Sequence, residues 1–165
     1  MRLAVQEDLE DLKVLFAEST EHANQVGHID RPKTFNNEYF TPFIEASELY
    51  CFDAGNRVVG AARLTEADPP PTIWEESGAQ YLYVGKLATS NLVRSTQFFP
   101  TVMLPEISDE AKQRDKIGIR LSCLADNHKL IDFYSRLGFN NIGMAQILSS
   151  FYKKHVYVTK FELGV

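Results

Sequence analysis

Between Ile117 and Phe139 the chain runs through an apolar, β-branched stretch, a polar junction, a short amphipathic segment and a glycine. The order reads strand, cap, helix, stop. Asp126 or Asn127 is placed to accept from the first free amides of a helix. Leu130, Ile131, Phe133, Tyr134 and Leu137 then fall on one apolar face at helical spacing. Gly138 supplies the left-handed residue that ends such a helix. Tyr134 therefore brings a hydroxyl to a face that is otherwise buried. On spacing alone it is equally a core tyrosine with a satisfied hydroxyl.

The remaining segments divide with similar clarity. Leu3–Val5 reads as a short strand, and Gln6–Phe16 as an amphipathic helix with acids in its first turn. His22–Lys33, with Gly27 and Pro32, reads as a loop, and Asn36–Glu48 as a second helix whose start Pro42 weakens. Leu49–Asp53 and Arg57–Leu64, joined by Ala54-Gly55-Asn56, form a hairpin pattern. Asp68–Thr72 holds three successive prolines and is a loop. A fourth strand follows over Gln80–Thr89, with a bulge or close backbone approach expected at Gly85. A long helix is predicted from Phe98 to Asp115, kinked or starting late at Pro105, and closing strands near Asn141–Ala145 and Val156–Leu163.

A chain of 165 residues fits one domain, residues 1–165. A formal net charge of −5 with scattered Lys and Arg argues against nucleic acid as a partner. No apolar run reaches the roughly 20 residues of a membrane span. Nothing in Met1–Asp8 reads as a secretory signal, so Cys51 and Cys123 are expected as buried thiols in a reducing cytoplasm. His22, His128 and His155 lack metal spacing, and no metal site is expected.

The run N-x-x-L-x-x-F-Y-x-x-L-G-F at Asn127–Phe139 resembles the fourth-helix motif of the GNAT superfamily of acyl-CoA-dependent N-acyltransferases. Leu87-Ala88-Thr89 and Ile119–Asn127 resemble that family's fourth and fifth strand ends. The β-α-α-β-β-β-α-β-α-β-β order is also similar to it over nearly the whole chain. The resemblance implies a mixed α/β (α+β) GNAT-like fold, its central sheet splayed between the fourth and fifth strands. It implies acetyl-CoA as cosubstrate and transfer of an acetyl group to an amine of a small molecule or peptide by direct attack. Family habit adds a homodimer.

Carried over residue by residue, the resemblance assigns Leu87, Ala88 and Thr89 to the pantetheine arm. It assigns Arg94, Ser95, Thr96, Gln97, Phe98 and Phe99 to the pyrophosphate loop, Asn127 to the coenzyme side or to a helix cap, and Tyr134 to protonation of the leaving sulfur. His28, Tyr39 and Tyr83 are the residues it places at the acceptor. The family loop is R/Q-x-x-G-x-G/A, and here Gln97 and Phe99 occupy the two small-residue positions, with no glycine between Gly85 and Gly118. Side chains there oppose close phosphate approach and any positive φ. The alternative is therefore a noncatalytic GNAT-like binding or interaction domain. No general base is assigned: Glu75 and Glu76 are a solvated loop pair or a carboxylate near the acceptor, and water is a further relay.

Overall fold

The computed structural model describes residues 1–25, 34–68, 73–74, 80–149 and 154–165. His28 lies outside them, as do Glu75 and Glu76. The elements are β1 (Arg2–Leu3), α1 (Leu9–Gln25, after a 3₁₀ turn at Gln6–Asp8), α2 (Asn37–Glu45), β2 (Leu49–Ala54), β3 (Arg57–Thr65) and β4 (Tyr81–Thr89). They continue with α3 (Leu104–Gln113, after a π-helical turn at Phe99–Met103), β5 (Gly118–Leu124), α4 (His128–Arg136), β6 (Asn140–Ser149) and β7 (Lys154–Gly164). The strands make one mixed sheet in the order β1-β2-β3-β4-β5-β7-β6, with β4 and β5 parallel.

The chain packs as two compact units, Met1–Leu64 with Lys86–Glu106 and Thr65–Gly85 with Ile107–Val165. In the first, Leu12, Leu15, Phe16, Phe40, Leu49 and Ala61 form the buried core, with Phe35, Tyr39 and Phe43 packed on it. The ring of Phe16 meets those of Phe35 and Phe40 edge to face at 5.6 and 5.0 Å, a geometry that aligns ring edges with ring faces. Helix α1 runs past the predicted end at Phe16 to Gln25, so His22 is helical rather than part of a loop. Thr20, buried one turn beyond Phe16, continues the inward stripe, and the intervening Ala and Glu residues are good helix formers. Helix α2 is shorter than predicted. It is capped by Asn36, which accepts from the Tyr39 amide at 3.1 Å, and Pro42 lies inside it. It closes when Ser47 turns left-handed (φ 54°) and Glu48 N–H donates to the Phe43 carbonyl at 2.9 Å.

In the second unit, β5 pairs with β7 along its whole length and β7 pairs with β6. Its parallel pairing with β4 covers three positions only: Tyr81 with Gly118, Leu82 with Ile119 and Tyr83 with Arg120. Gly118 is required there, because a Cβ would stand 2.7 Å from the Leu163 carbonyl oxygen and 3.0 Å from the Tyr81 ring.

Ion pairs centred on Arg2 fasten the start of the chain. Arg2 donates from its two terminal nitrogens to the Asp8 carboxylate at 2.7 and 2.8 Å, and from Nε to Asp53 on β2 at 2.8 Å. Asp8 also accepts from the Val5 amide at 2.8 Å. Arg2 foremost holds the Asp8 carboxyl below its ordinary pKa. A lowered folded-state pKa contributes stability above the unfolded value near 4, and that contribution disappears as pH falls through the folded one. Asp8→Asn should thus cost about 2 kcal/mol in urea unfolding at pH 7, and the gap to wild type should close as the titration is repeated toward pH 2.

Candidate functional site

The segment after β4 is wound tightly onto the first unit. Glu18 on α1 accepts from the Ser90 hydroxyl at 2.9 Å and from the Asn91 amide at 3.0 Å. Arg94 N–H donates to the Ser90 carbonyl at 3.1 Å, and the Arg94 guanidinium turns back to the Thr89 carbonyl at 2.6 Å and to the Asn91 side chain. Burial lowers its pKa, and the group remains a cation at neutral pH. Arg94 thus ties the loop to the end of β4, and any phosphate contact it makes is added to that role.

Ser95, Thr96 and Gln97 are exposed. Gln97 is left-handed, φ 58°, at the position where the sequence resemblance expects a glycine. The Thr101 amide and hydroxyl both donate to the Gln97 carbonyl, at 3.1 and 2.9 Å, which fixes the turn into the helix. Phe99, at the second small-residue position, is buried, so its side chain belongs to the core rather than to the loop surface. Phe98 leans on β3 at Gly60, where a Cβ would stand 3.3 Å from its ring and 3.0 Å from Met103 Sδ. A glycine absent from the loop is thus present on the strand beneath it. The predicted single helix over Phe98–Asp115 is a π turn joined to α3. Pro105 has no N–H for the α-ladder, and the wider Leu104 N–H to Phe99 C=O bond closes the preceding turn.

Leu87 and Thr89 are half-buried and Ala88 is buried in the core beside Leu12 and Ala61. The irregularity predicted at Gly85 falls one residue later. A Cβ on Gly85 would meet open space, whereas Lys86 is left-handed (φ 48°) and carries its ammonium over the rings of Tyr39 and Phe43, 4.9 and 5.7 Å from their centroids. That cation–π contact offsets the backbone cost. It also places Tyr39 beside Lys86, which the sequence reading did not single out.

In the second unit, Asn127 is the cap of α4: its Oδ1 accepts from the Leu130 amide at 3.1 Å. Gly138 has φ 89° and Phe139 N–H donates to the Tyr134 carbonyl at 3.1 Å, a full glycine stop. Tyr134 is buried against Phe133, Phe139 and Phe161, with centroids 5.5 to 5.6 Å away. Burial, then Cys123, raises its pKa well above that of a free phenol, so the hydroxyl holds its proton throughout the neutral range. Burial also pushes the Cys123 thiol up to about 11, which leaves it protonated and inert as a nucleophile.

Tyr83 is buried in a cluster that sequence reading largely missed. Its ring lies 6.0 Å from that of Trp74, and its hydroxyl accepts from Arg120 at 3.4 Å. Arg120 stacks 3.6 Å from the Tyr81 centroid and pairs with Glu162 at 3.0 Å. The available signal was charge at inward strand positions: Arg120, Lys160 and Glu162 interrupt runs that otherwise read as apolar strand. Among the described residues no group of three His, Cys, Asp or Glu side chains could hold a metal ion, and no helix is long and apolar enough to cross a membrane.

Similar architectures occur among solved structures. An acetyltransferase of the GNAT family from Listeria monocytogenes superposes with TM-score 0.74 at 19% identity, over 98% of this chain and 93% of that one. The chain has the GNAT fold. A ribosomal-protein-alanine N-acetyltransferase from Brucella melitensis gives TM-score 0.71 at 16% identity, over 99% and 98% of the two chains. An assigned acetyltransferase from Salmonella typhimurium, solved with its cofactor acetyl-CoA, gives 0.68 at 14% identity, over 99% and 91%. No family model and no curated protein matches the sequence. In the loop after β4, glutamine stands in for the glycine that a left-handed turn favours.

That substitution has a measurable cost. A left-handed non-glycine residue is strained by roughly 1–2 kcal/mol, partly offset by the entropy glycine loses on folding. Gln97→Gly should raise unfolding stability by about 1 kcal/mol, and Gln97→Val should lower it, both read from the urea midpoint at constant m-value.

Proposed function

We propose that this protein is an N-acetyltransferase that moves an acetyl group from acetyl-CoA to an amine of a small molecule or peptide by direct attack. The observation that carries the reading is the backbone at Gln97, left-handed and followed at once by helical backbone, the arrangement of a phosphate cradle. Two further observations support it: β4 continues to Thr89 although its pairing with β5 ends at Tyr83, and Phe99 is turned into the core rather than across the loop.

In this reading the coenzyme, when bound, supplies an acyl thioester. Ser95, Thr96, Gln97 and the start of the helical turn are assigned to its pyrophosphate, where the helix dipole favours an anion; Thr96 already donates its amide and hydroxyl to the Val93 carbonyl, at 3.1 and 2.7 Å. Arg94 keeps the loop closed on Thr89 and adds positive charge. Leu87, Ala88 and Thr89 offer strand backbone to the pantetheine arm, while Phe98 and Phe99 support the cradle from beneath. Asn127 acts through α4 as its cap. Tyr134 holds a proton at Oη for the departing sulfur, and burial keeps it there at neutral pH. Tyr83, Tyr39 and His28 are assigned to the acceptor side.

A second reading, a noncatalytic GNAT-shaped binding domain, is favoured by Arg94, whose guanidinium already serves Thr89 and Asn91. Calorimetric titration separates the two. Acetyl-CoA should give a saturable heat with the wild type and bind more tightly to Gln97→Gly; Phe99 is left intact because it is core. An absence of binding at millimolar acetyl-CoA in both proteins would leave only the second reading.

Tyr134→Phe should retain fold and acetyl-CoA affinity. Thiol release from acetyl-CoA over a panel of primary amines should fall by roughly 10²–10⁴. Release at the wild-type rate would make Tyr134 structural.

A further inference from the structure

The sheet order ends at β6, which pairs with β7 on one side and, among the described residues, with no strand on the other. An edge strand offers N–H and C=O groups to any further strand, and folds blunt it by shortness, charge, proline or a bulge. The opposite edge is blunted: β1 is two residues long and one of them is Arg2. β6 is ten residues long, and Asn140–Ser149 holds no charge and no proline. A bulge between Asn141 and Met144, where Gly143 has φ 102°, bends its first part. Beyond it Met144–Ser149 runs in straight register with β7, Met144 opposite Thr159 and Ser149 opposite Lys154.

That straight stretch carries uncovered apolar side chains. Met144 and Leu148 are 66% and 60% exposed, and Tyr157, across the ladder from Gln146, is 58% exposed. Opposed residues share a sheet face, so Met144, Leu148 and Tyr157 stand on one side. It is the side on which Tyr134 of α4 packs against Phe161, four residues farther along β7. Single exposed apolar residues are ordinary, whereas three neighbouring large ones on one face of an unblunted edge mark an interaction surface.

We propose that β6 is the contact between two copies of this chain, paired antiparallel about a two-fold axis through Gln146. An isologous contact requires a surface that complements itself, and about Gln146 the strand does so. Met144 meets the partner's Leu148 on the exposed face, Ala145 meets the partner's Ile147 on the other, and Gln146 meets its own copy. An axis through Ile147 would set Gln146 against Leu148 and Ala145 against Ser149, polar against apolar on both faces. Charge points to the same occupant. Each chain carries −5, so two copies repel over most of their surfaces and approach at least cost along an uncharged edge. β6 has no charge with which to select a foreign strand, and its own reversed order supplies the match. None of this rests on acetyl transfer.

The wild-type chain at roughly 100 μM should sediment at about twice its mass of 18.7 kDa. Gln146→Lys brings two ammonium groups face to face on the axis and should weaken the dimer about tenfold or more. Met144→Lys and Leu148→Glu should each weaken it, and the double variant should recover most of the loss, because each new cation then faces a new anion. Oxidative cross-linking reads the register. Cys51 and Cys123 are buried, so Gln146→Cys adds the accessible thiol and should bond to its own copy, the two Cα atoms being about 5 Å apart. Met144→Cys, roughly 14 Å from its own copy at strand spacing, should not. A wild-type monomer, which would leave the edge to another chain, overturns the inference. So does a dimer that folded Gln146→Lys leaves intact, or equal cross-linking of Gln146→Cys and Met144→Cys. The cross-linking pair decides even where Gln146→Lys does not fold.

Discussion

The parallel ladder between β4 and β5 is the constraint on which the second unit depends. It spans three residue pairs and stops, although both strands continue. Its first pair exists only because Gly118 presents no Cβ to the Leu163 carbonyl and the Tyr81 ring. Its last pair sets Arg120 beside Tyr83, which draws in Glu162 from β7 and Trp74 from the preceding segment. Parallel strands need a long crossover, and here that crossover carries the loop, the π turn and α3. Beyond Tyr83 the ladder with β5 ends while β4 continues to Thr89, and that divergence is the physical basis of the coenzyme reading.

Local signals in the sequence carried the helices and strands whose ends are decided by their own side chains. Asn127 and Gly138 cap and stop α4 for reasons contained within a few residues. Among the described residues, seven strands and four α-helices follow in the order that apolar periodicity suggests. The site was less legible, since the side-chain direction at Phe98 is set by space made at Gly60, far away in sequence. The left-handed turn at Gln97 opposes local propensity and is held by Thr101 and by the anchored loop. Lys86 and Lys160 look, in sequence, like ordinary charges on strands. Only tertiary structure sets one over the α2 rings and buries the other beside Trp74.

The loop illustrates how one backbone shape is reached by different compensations. Glycine reaches a left-handed turn without steric cost. Here Gln97 makes such a turn with a side chain in place: Thr101 donates twice to its carbonyl, while Glu18, accepting from Ser90, and Arg94, donating to Thr89, anchor the segment before it. A loop fastened in this way is rigid before any ligand arrives, which lowers the ordering cost of binding.

Each compact unit also contains one cysteine, Cys51 in the first and Cys123 in the second, and both are buried. Burial raises both thiols, Cys51 up to about 12 and Cys123 up to about 11, so neither reacts while its unit stays closed. The chain therefore carries a separate clock for each half. The rate at which a thiol reagent captures Cys51 measures opening of the first unit, and the rate at Cys123 measures the second. Equal rates signify one cooperative molecule; unequal rates resolve two foldons with distinct opening free energies.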